Sequence, residues 1–298
     1  MKGVLTGGIG FFDSGVGGLS VLWACRGQTA GLPIYYYGDN ARAPYGNRSM
    51  DEIRAYTHEA FALFQRLRVR AAVVACNTVT ATVIEELRNA YPFPIVGVEP
   101  AVLPAAKVGG RVLVLATAAT ASSPRLKKLI ARAHIEYPQS KIIIRPCEHL
   151  AQRIERACAE GNFNLTDALP KENADVVVLG CTHYSLVRGQ IADFYQAEVV
   201  DGNEAVARRL GQILRKGGIG ADDRLPFSQK MPSKILPCSM LSNLSLFFPK
   251  RGRKNRRFQL KKCVCFQKLK IAQPLYFVGS GRAFNRQFYE RMFAFGII

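Results

Sequence analysis

Two cysteines stand where apolar runs end, and the side chains beside them could do chemistry. Val176-Val-Val-Leu-Gly180 leads directly into Cys181-Thr182-His183, and Ala71-Ala-Val-Val-Ala75 leads into Cys76-Asn77-Thr78. Short β-branched apolar runs mark buried parallel strands, and ligands of α/β folds bind beyond the carboxyl ends of such strands. A thiol is a nucleophile and a base whose pKa its neighbours tune. One thiol near a histidine suits Cys–His nucleophilic catalysis. Two thiols in matched settings suit a narrower task, in which one removes a proton from one face of a carbon and the other returns a proton to the opposite face. That inverts the centre. His183 can poise Cys181, and Asp13 can poise Cys76 if the fold brings it there. The bland alternative is that both cysteines are inert core, since free Cys is among the most buried residue types. Pairing with polar neighbours in both places favours the catalytic reading. Thiol redox work is disfavoured because the chain has no Cys-x-x-Cys pair. Cys25, Cys147, Cys158, Cys238, Cys263 and Cys265 lack such a setting and read as structural.

The elements needed to position these thiols alternate along the chain. Strands are expected at Gly8–Phe12, Pro33–Tyr37, before Cys76, and at Pro94–Val98, with helices running to about Arg26, over Asp51–Leu67 and to about Ala90. Ser49 and Glu52 form a capping box ahead of the second of these helices. A second series follows: strands at Arg111–Leu115, Lys141–Arg145, Asp175–Leu179 and Glu198–Asp201, and helices from Ser123-Pro124, over His149–Ala159 and over Ala205–Leu214. Alternation of this kind, with one strand-end cysteine in each half, predicts two parallel α/β units. Pro274–Val278 reads as a late strand and Phe284–Phe293 as a closing helix. Between the first strand and helix lies Asp13-Ser-Gly-Val-Gly-Gly18, in which Asp13 or Ser14 can cap the helix and the amides can face an anion. It lacks the dinucleotide Gly-x-Gly-x-x-Gly register and has no P-loop lysine. The loop Gly38–Ser49 is dense in polar and aromatic groups, as functional loops are.

Composition narrows the class further. At 298 residues, 48% hydrophobic, the chain is long enough for two folded units. No apolar run approaches the roughly 20 residues that span a bilayer, and Met1–Leu5 enters the first strand with no signal-peptide pattern. The cytoplasm, where thiols stay reduced, is the expected compartment. No cysteine and histidine spacing resembles a metal site, so no metal is expected. The net charge of +19 is mostly local, because Leu225–Gln273 holds twelve Lys or Arg and no acidic residue. That segment reads as a solvated, disordered insertion. A nucleic-acid contact through it is the rival reading, weakened because aromatic interleaving with its basic residues is sparse (Phe258 and Phe266).

Five ordered blocks then resemble the signature blocks of the glutamate racemases, within the aspartate/glutamate racemase family: Phe12–Leu22, Tyr37–Gly46, Ala75–Thr78, Gly97–Pro100 and Leu179–His183. The resemblance covers about Ile9 to Leu214. It implies two similar parallel-sheet α/β domains with the active site in the cleft between them, residues 1–98 plus 208–298 forming the first and 99–207 the second. It also implies a homodimer. The implied activity is interconversion of L- and D-glutamate for peptidoglycan precursors, with no cofactor. Cys76 and Cys181 match the two catalytic thiols, Asp13 and His183 the groups assisting them, and Glu155 a further acid on the Cys181 side. Asp13, Ser14, Tyr45, Gly46, Asn77, Thr78, Thr120, Thr182 and His183 match substrate-binding positions, with Thr117 less closely. An aspartate racemase is the nearest alternative, and Asn40–Gly46 favours glutamate.

Overall fold

The computed structural model describes residues 7–29, 31–160, 165–217 and 275–279, with the side chains of 159, 160 and 275–279 left aside. The first sheet begins with β1 (Ile9–Asp13), β2 (Ile34–Gly38), β3 (Ala71–Val74) and β4 (Ile95–Gly97). The second holds β5 (Arg111–Ala116), β6 (Lys141–Pro146), β7 (Val176–Gly180) and β8 (Glu198–Val200) in the order β6-β5-β7-β8. The chain returns to the first sheet with β9 (Leu275–Gly279), completing the order β4-β3-β1-β2-β9. Every pairing is parallel. The expected architecture of two parallel α/β sheets is therefore present. The basic segment 225–273 and the closing helix 284–293 lie outside the described residues.

Register sets which side chains can meet. Phe12 pairs with Tyr37 and with Val74, so Asp13, Gly38 and the Cys76 turn emerge at one end of the first sheet. Ala116 pairs with both Gly180 and Pro146, so Thr117, Cys181 and Cys147 leave the second sheet side by side. Residues of β1, β3 and β7 are buried without exception. That is why their sequences run apolar instead of alternating.

Alternate side chains divide between layers. Phe12, Tyr37, Ala72 and Val74 face α2 (Met50–Arg66) and its Ile53, Phe61 and Phe64, together with α3 (Asn77–Thr82) and α4 (Ile84–Ala90). Phe11, Tyr36 and Val73 point the other way, toward α1 (Leu19–Cys25). The core on that side is continuous with Leu113, Leu115, Val177 and Leu179 of the second sheet, so one apolar interior runs between the two. α5 (Val102–Val108) and α7 (Pro124–Glu136) cover the outer face of the second sheet, with the short α6 (Ala118–Ser122) between them in sequence. α8 (Leu150–Glu160) and α9 (Arg188–Tyr195) line the shared interior, and α10 (Asn203–Lys216) packs on α1, β3 and β4.

Local sequence accounts for most helix starts. The Ser49 hydroxyl accepts the Glu52 N–H at 3.2 Å while the Glu52 carboxylate accepts the Ser49 N–H at 3.0 Å, the expected capping box. Ser123 caps α7 ahead of Pro124 at the first helical position. The helix expected to run unbroken to Ala90 is in fact two, α3 and α4, because Val83 leaves helical geometry with φ −124°. α5, with Pro104 inside it, carried too little periodicity to be anticipated.

The chain crosses between sheets twice, at 98–101 and at 201–202, and the crossings touch. A Cβ on Gly202 would collide with the Glu99 carbonyl. With φ at −86° the backbone there suits any residue, so contact alone requires glycine. Gly202→Ala is expected to lower stability by about 1–3 kcal/mol, the usual cost of overpacking. Urea unfolding measures it, and an unchanged midpoint would show that the crossings can part freely.

Candidate active site

Asp13, the last residue of β1, folds the turn that follows. Its Oδ2 accepts the N–H groups of Gly15 and Gly18, each at 3.0 Å. The N-cap of α1 is Gly18 and has no side-chain bond, so Asp13 braces the turn ahead of the helix and does not occupy the cap itself. Three amides of this turn, those of Gly15, Val16 and Gly18, go to the protein's own carboxylates, since Val16 N–H donates to Glu155 Oε1 at 3.0 Å. The glycines serve contact with the other half of the molecule. A Cβ on Gly17 would lie 2.5 Å from the His183 backbone nitrogen and 2.7 Å from Thr182 Oγ1. One on Gly15 would collide with the Glu155 carboxylate.

The β1 turn and the β7 turn therefore lie against each other, and the Thr182 hydroxyl donates to Asp13 Oδ1 at 3.3 Å. Cys181 Sγ lies 3.7 Å from His183 Nδ1, and His183 Nε2 lies 2.6 Å from Glu155 Oε1. The result is a thiol, imidazole and carboxylate in line. On the first sheet's side, Cys76 Sγ donates to Ser14 Oγ at 3.6 Å. Both sulfurs are enclosed, with Cys76 4% and Cys181 6% exposed.

Electrostatics separate the two thiols. Burial pushes the Cys76 thiol up to about 12, and the charge of Asp13 pushes the same way; the Val79 N–H and Ser14 hydroxyl oppose it without winning. Asp13 itself is held above the ordinary carboxylate range, because burial outweighs the nearby His183 charge and the two glycine amides. For His183 the balance reverses. Burial works against its charged form, yet the Cys181 and Glu155 contacts raise its pKa well above the usual 6.5. One thiol thus faces a buried acid and the other a cationic imidazole.

A chain of hydroxyls lies beyond the thiols. Thr78 and Thr117 hydroxyl oxygens are 3.0 Å apart, Thr117 donates to Thr120 Oγ1 at 3.0 Å, and Thr117 Oγ1 also accepts the Thr120 N–H at 3.2 Å. Thr78 belongs to the first sheet's side and Thr117 to the second's. Gly46 abuts the same threonine, since a Cβ there would lie 3.0 Å from Thr117 Cβ. Asn77 is buried, and its Oδ1 has no hydrogen-bond partner among the described residues. Tyr45 is buried and its phenol donates to Asp39. Asp13, Ser14, Asn77, Thr78, Thr182 and His183 thus lie on the turns next to the two thiols, Glu155, Thr117 and Thr120 lie in the hydrogen-bond networks of those turns, and Tyr45 and Gly46 lie in the loop against Thr117. Asp39 and Arg42, which hold Tyr45, were passed over; a charged pair inside a Gly/Asn/Pro loop carries no periodic signal. A groove of about 1490 Å³ lies elsewhere, beside the crossings and lined by Trp23, Glu99, Arg125 and Asp201, with neither thiol in it. Size is a poorer guide than chemistry in this molecule.

The Asp/Glu/hydantoin racemase profile matches residues 20–210. This chain belongs to that family. It is 36% identical over 218 residues to a glutamate racemase of Clostridium acetobutylicum, covering 70% of this chain and 84% of the relative. It is 39% identical over 217 residues to that of Pseudomonas aeruginosa, covering 69% and 81%. The crystal structure of Escherichia coli glutamate racemase, which contains L-glutamate, matches with a TM-score of 0.64 at 33% identity over 70% of this chain and 83% of that one. The Bacillus anthracis glutamate racemase isoform RacE1 matches with a TM-score of 0.59 at 30% identity, covering 74% and 85%. Within the family the protein stands with the amino-acid racemases.

Two outcomes follow from the charges around the site. A histidine whose folded-state pKa is raised stabilises the fold fully below its unfolded value of about 6.5. That contribution is lost as pH rises through the elevated folded value. The difference in urea stability between wild type and His183→Gln is therefore largest below pH 6.5 and shrinks on the alkaline side; a flat difference from pH 6 to 9 would count against the ion pair. In the resting protein Cys76 holds about a thousandfold less thiolate at pH 7 than a cysteine at its ordinary pKa. Mass-resolved iodoacetamide labelling should find it slow beside the same cysteine in urea, and equal rates would contradict the buried setting.

Proposed function

We propose that this protein interconverts L- and D-glutamate by two-base proton transfer, with Cys76 and Cys181 on opposite faces of the α-carbon and no cofactor. The observation that carries the reading is the pairing of two enclosed strand-end thiols, one from each sheet, each beside its own proton-handling group. In each direction one cysteine, as thiolate, takes the α-proton and becomes a thiol; the other, as thiol, gives its proton to the opposite face and becomes a thiolate. The protons balance and the centre inverts. Asp13 assists Cys76, and His183 braced by Glu155 assists Cys181. By family analogy Cys76 acts on D-glutamate and Cys181 on L-glutamate.

With no cofactor to delocalise the carbanion, donors already in place must stabilise the developing charge on the α-carboxylate. Ser14, Asn77, Thr78, Thr120 and Thr182, with the main chain at Tyr45 and Gly46, are the groups proposed to hold the carboxylates. The Asn77 Oδ1, which has no partner among the described residues, suits the substrate ammonium, and the Asp13 carboxyl when ionised favours the same cation. Removal of water from this enclosed site strengthens each of these contacts.

Glutamate is preferred over aspartate because the similar proteins named above are glutamate racemases. The D-glutamate so formed is assigned to peptidoglycan precursor synthesis in the cytoplasm, by a homodimer, on the strength of the family resemblance. The proposed division is residues 1–98 plus 208–298 and residues 99–207; the crossings at 98–101 and 201–202 and the pairing of β9 with β2 support two such units, the second crossing falling a few residues ahead of 208. The basic segment 225–273 is assigned no part in the chemistry.

Circular dichroism of L-glutamate with purified protein and no additive tests the reading. Wild type should erase the signal, while Cys76→Ser and Cys181→Ser each reduce racemisation by about a thousandfold, within the range of a lost acid–base group. Deuterium wash-in from each single variant then assigns the thiols to enantiomers. Racemisation of aspartate but not glutamate would replace the substrate, and full activity of both serine variants would remove the mechanism.

A further inference from the structure

The loop after β2 is held by a buried ionic knot that the chemistry above does not use. Asp39, fully buried, accepts the Tyr45 phenol, and its Oδ2 lies 2.6 Å from Arg42 Nε. Arg42 continues outward: its Nη1 bonds Glu59 of α2 at 2.8 Å, its Nη2 reaches the Tyr37 hydroxyl at 3.4 Å, and its guanidinium lies 4.0 Å from the Tyr56 ring centroid. The Tyr45 ring is clasped from two sides, with centroids 6.1 Å from Phe12 and 5.9 Å from Tyr56. Asp39 is tied in turn to the catalytic turn, since its N–H donates to the Asp13 carbonyl at 3.0 Å.

This arrangement decides what Tyr45 can offer a ligand. A phenol has one proton to donate, and that proton is committed to a buried carboxylate. Gly46, next in sequence, has only main chain to offer and sits against Thr117. We propose that Asp39, fixed by Arg42, is a positioning residue for glutamate binding: it moors the Tyr45 phenol so that Tyr45 and Gly46 meet the substrate through their main chain. The inference rests on the glutamate racemase reading above. It assigns the Tyr45 hydroxyl an anchoring role and removes it from the substrate contacts. It also explains why a charged pair is buried in a loop at all: burying two charges contributes little stability by itself but does fix geometry.

The test is a double-mutant cycle on Asp39→Ala and Tyr45→Phe, read by steady-state racemisation and by backbone hydrogen exchange over residues 40–48. Arg42 retains Glu59 and Tyr56 in Asp39→Ala, and the phenylalanine ring keeps its aromatic contacts, so at least one of the pair is expected to fold normally. Each single variant should raise the KM for glutamate about tenfold, as loss of a charge-assisted hydrogen bond does. kcat should stay within about threefold of wild type, because uniform binding and not the chemical step is weakened. The double variant should resemble the singles, and Asp39→Asn, which keeps an acceptor oxygen, should recover most of the loss. Exchange should quicken within 40–48 in both single variants. Multiplicative KM effects approaching a hundredfold would mean that the phenol touches glutamate directly, which overturns the inference; unchanged exchange overturns it as well. Quickened exchange with a wild type inert toward glutamate would defeat the function reading instead, and with it the assignment of this mooring to glutamate.

Discussion

The contact on which the rest of the site depends is that between the β1 turn and the β7 turn. Asp13 gathers two amides of its own turn at 3.0 Å and the Thr182 hydroxyl from the other sheet. Gly17 has no side chain because the His183 main chain occupies that space. Without this approach the turns that carry Cys76 and Cys181 would belong to two separate sheets. Glu155 adds a second bond across the same junction, accepting from Val16 while bracing His183. The junction is polar and buried, and its groups satisfy one another. A half-satisfied network in such a place would cost more than an apolar one.

That junction also makes the two thiols unequal. Burial, with the Asp13 carboxyl beside it, holds the proton on Cys76 against the opposing Ser14 hydroxyl. Cys181 sits by an imidazole whose charge the Glu155 carboxylate sustains. A racemase must handle a proton on each face of one carbon, and similar demands need not be met by similar surroundings. Here a buried carboxyl lies beside one thiol and an imidazole beside the other, on turns within hydrogen-bond reach. The site's charge balance is therefore shared across the cleft, and neither half can be described alone.

The surrounding layers convert this local contact into a rigid one. The interior between the sheets is continuous, from Phe11 and Val73 through Leu115 and Leu179. On the outer face of the first sheet, Phe12, Tyr37, Tyr45 and Phe61 form an aromatic layer that carries the loop with Tyr45 and Gly46 toward Thr117. The hydroxyls of Thr78, Thr117 and Thr120 then connect the halves a second time. Rigid walls and polar contacts made across the seam are what the proposed proton transfer requires.

Much of this was legible in the order of residues, for identifiable reasons. Parallel strands buried on both faces read as unbroken apolar runs, so β1, β3, β5 and β7 announce themselves, and the polar residues closing β3 and β7 announce the reactive ends. Ser49 with Glu52 and Ser123 with Pro124 are local interactions, complete within one turn, and needed nothing else. The break at Val83, the short α5 and the knot of Asp39 with Arg42 were not legible, because packing and not periodicity produces them. Glu155 shows the limit well: its helix was readable, but its bond to His183 spans 28 residues and its bond to Val16 spans 139. Sequence alone determined which residues could do acid–base chemistry and that they would lie at strand ends, since strand and turn are short-range properties. Only the tertiary structure decided that the turns bearing the two thiols meet, that the glycine-rich turn packs against the His183 turn, and that Asp13 lies by one thiol and His183 by the other. Those outcomes arise from contacts between sheets, and no local pattern encodes them.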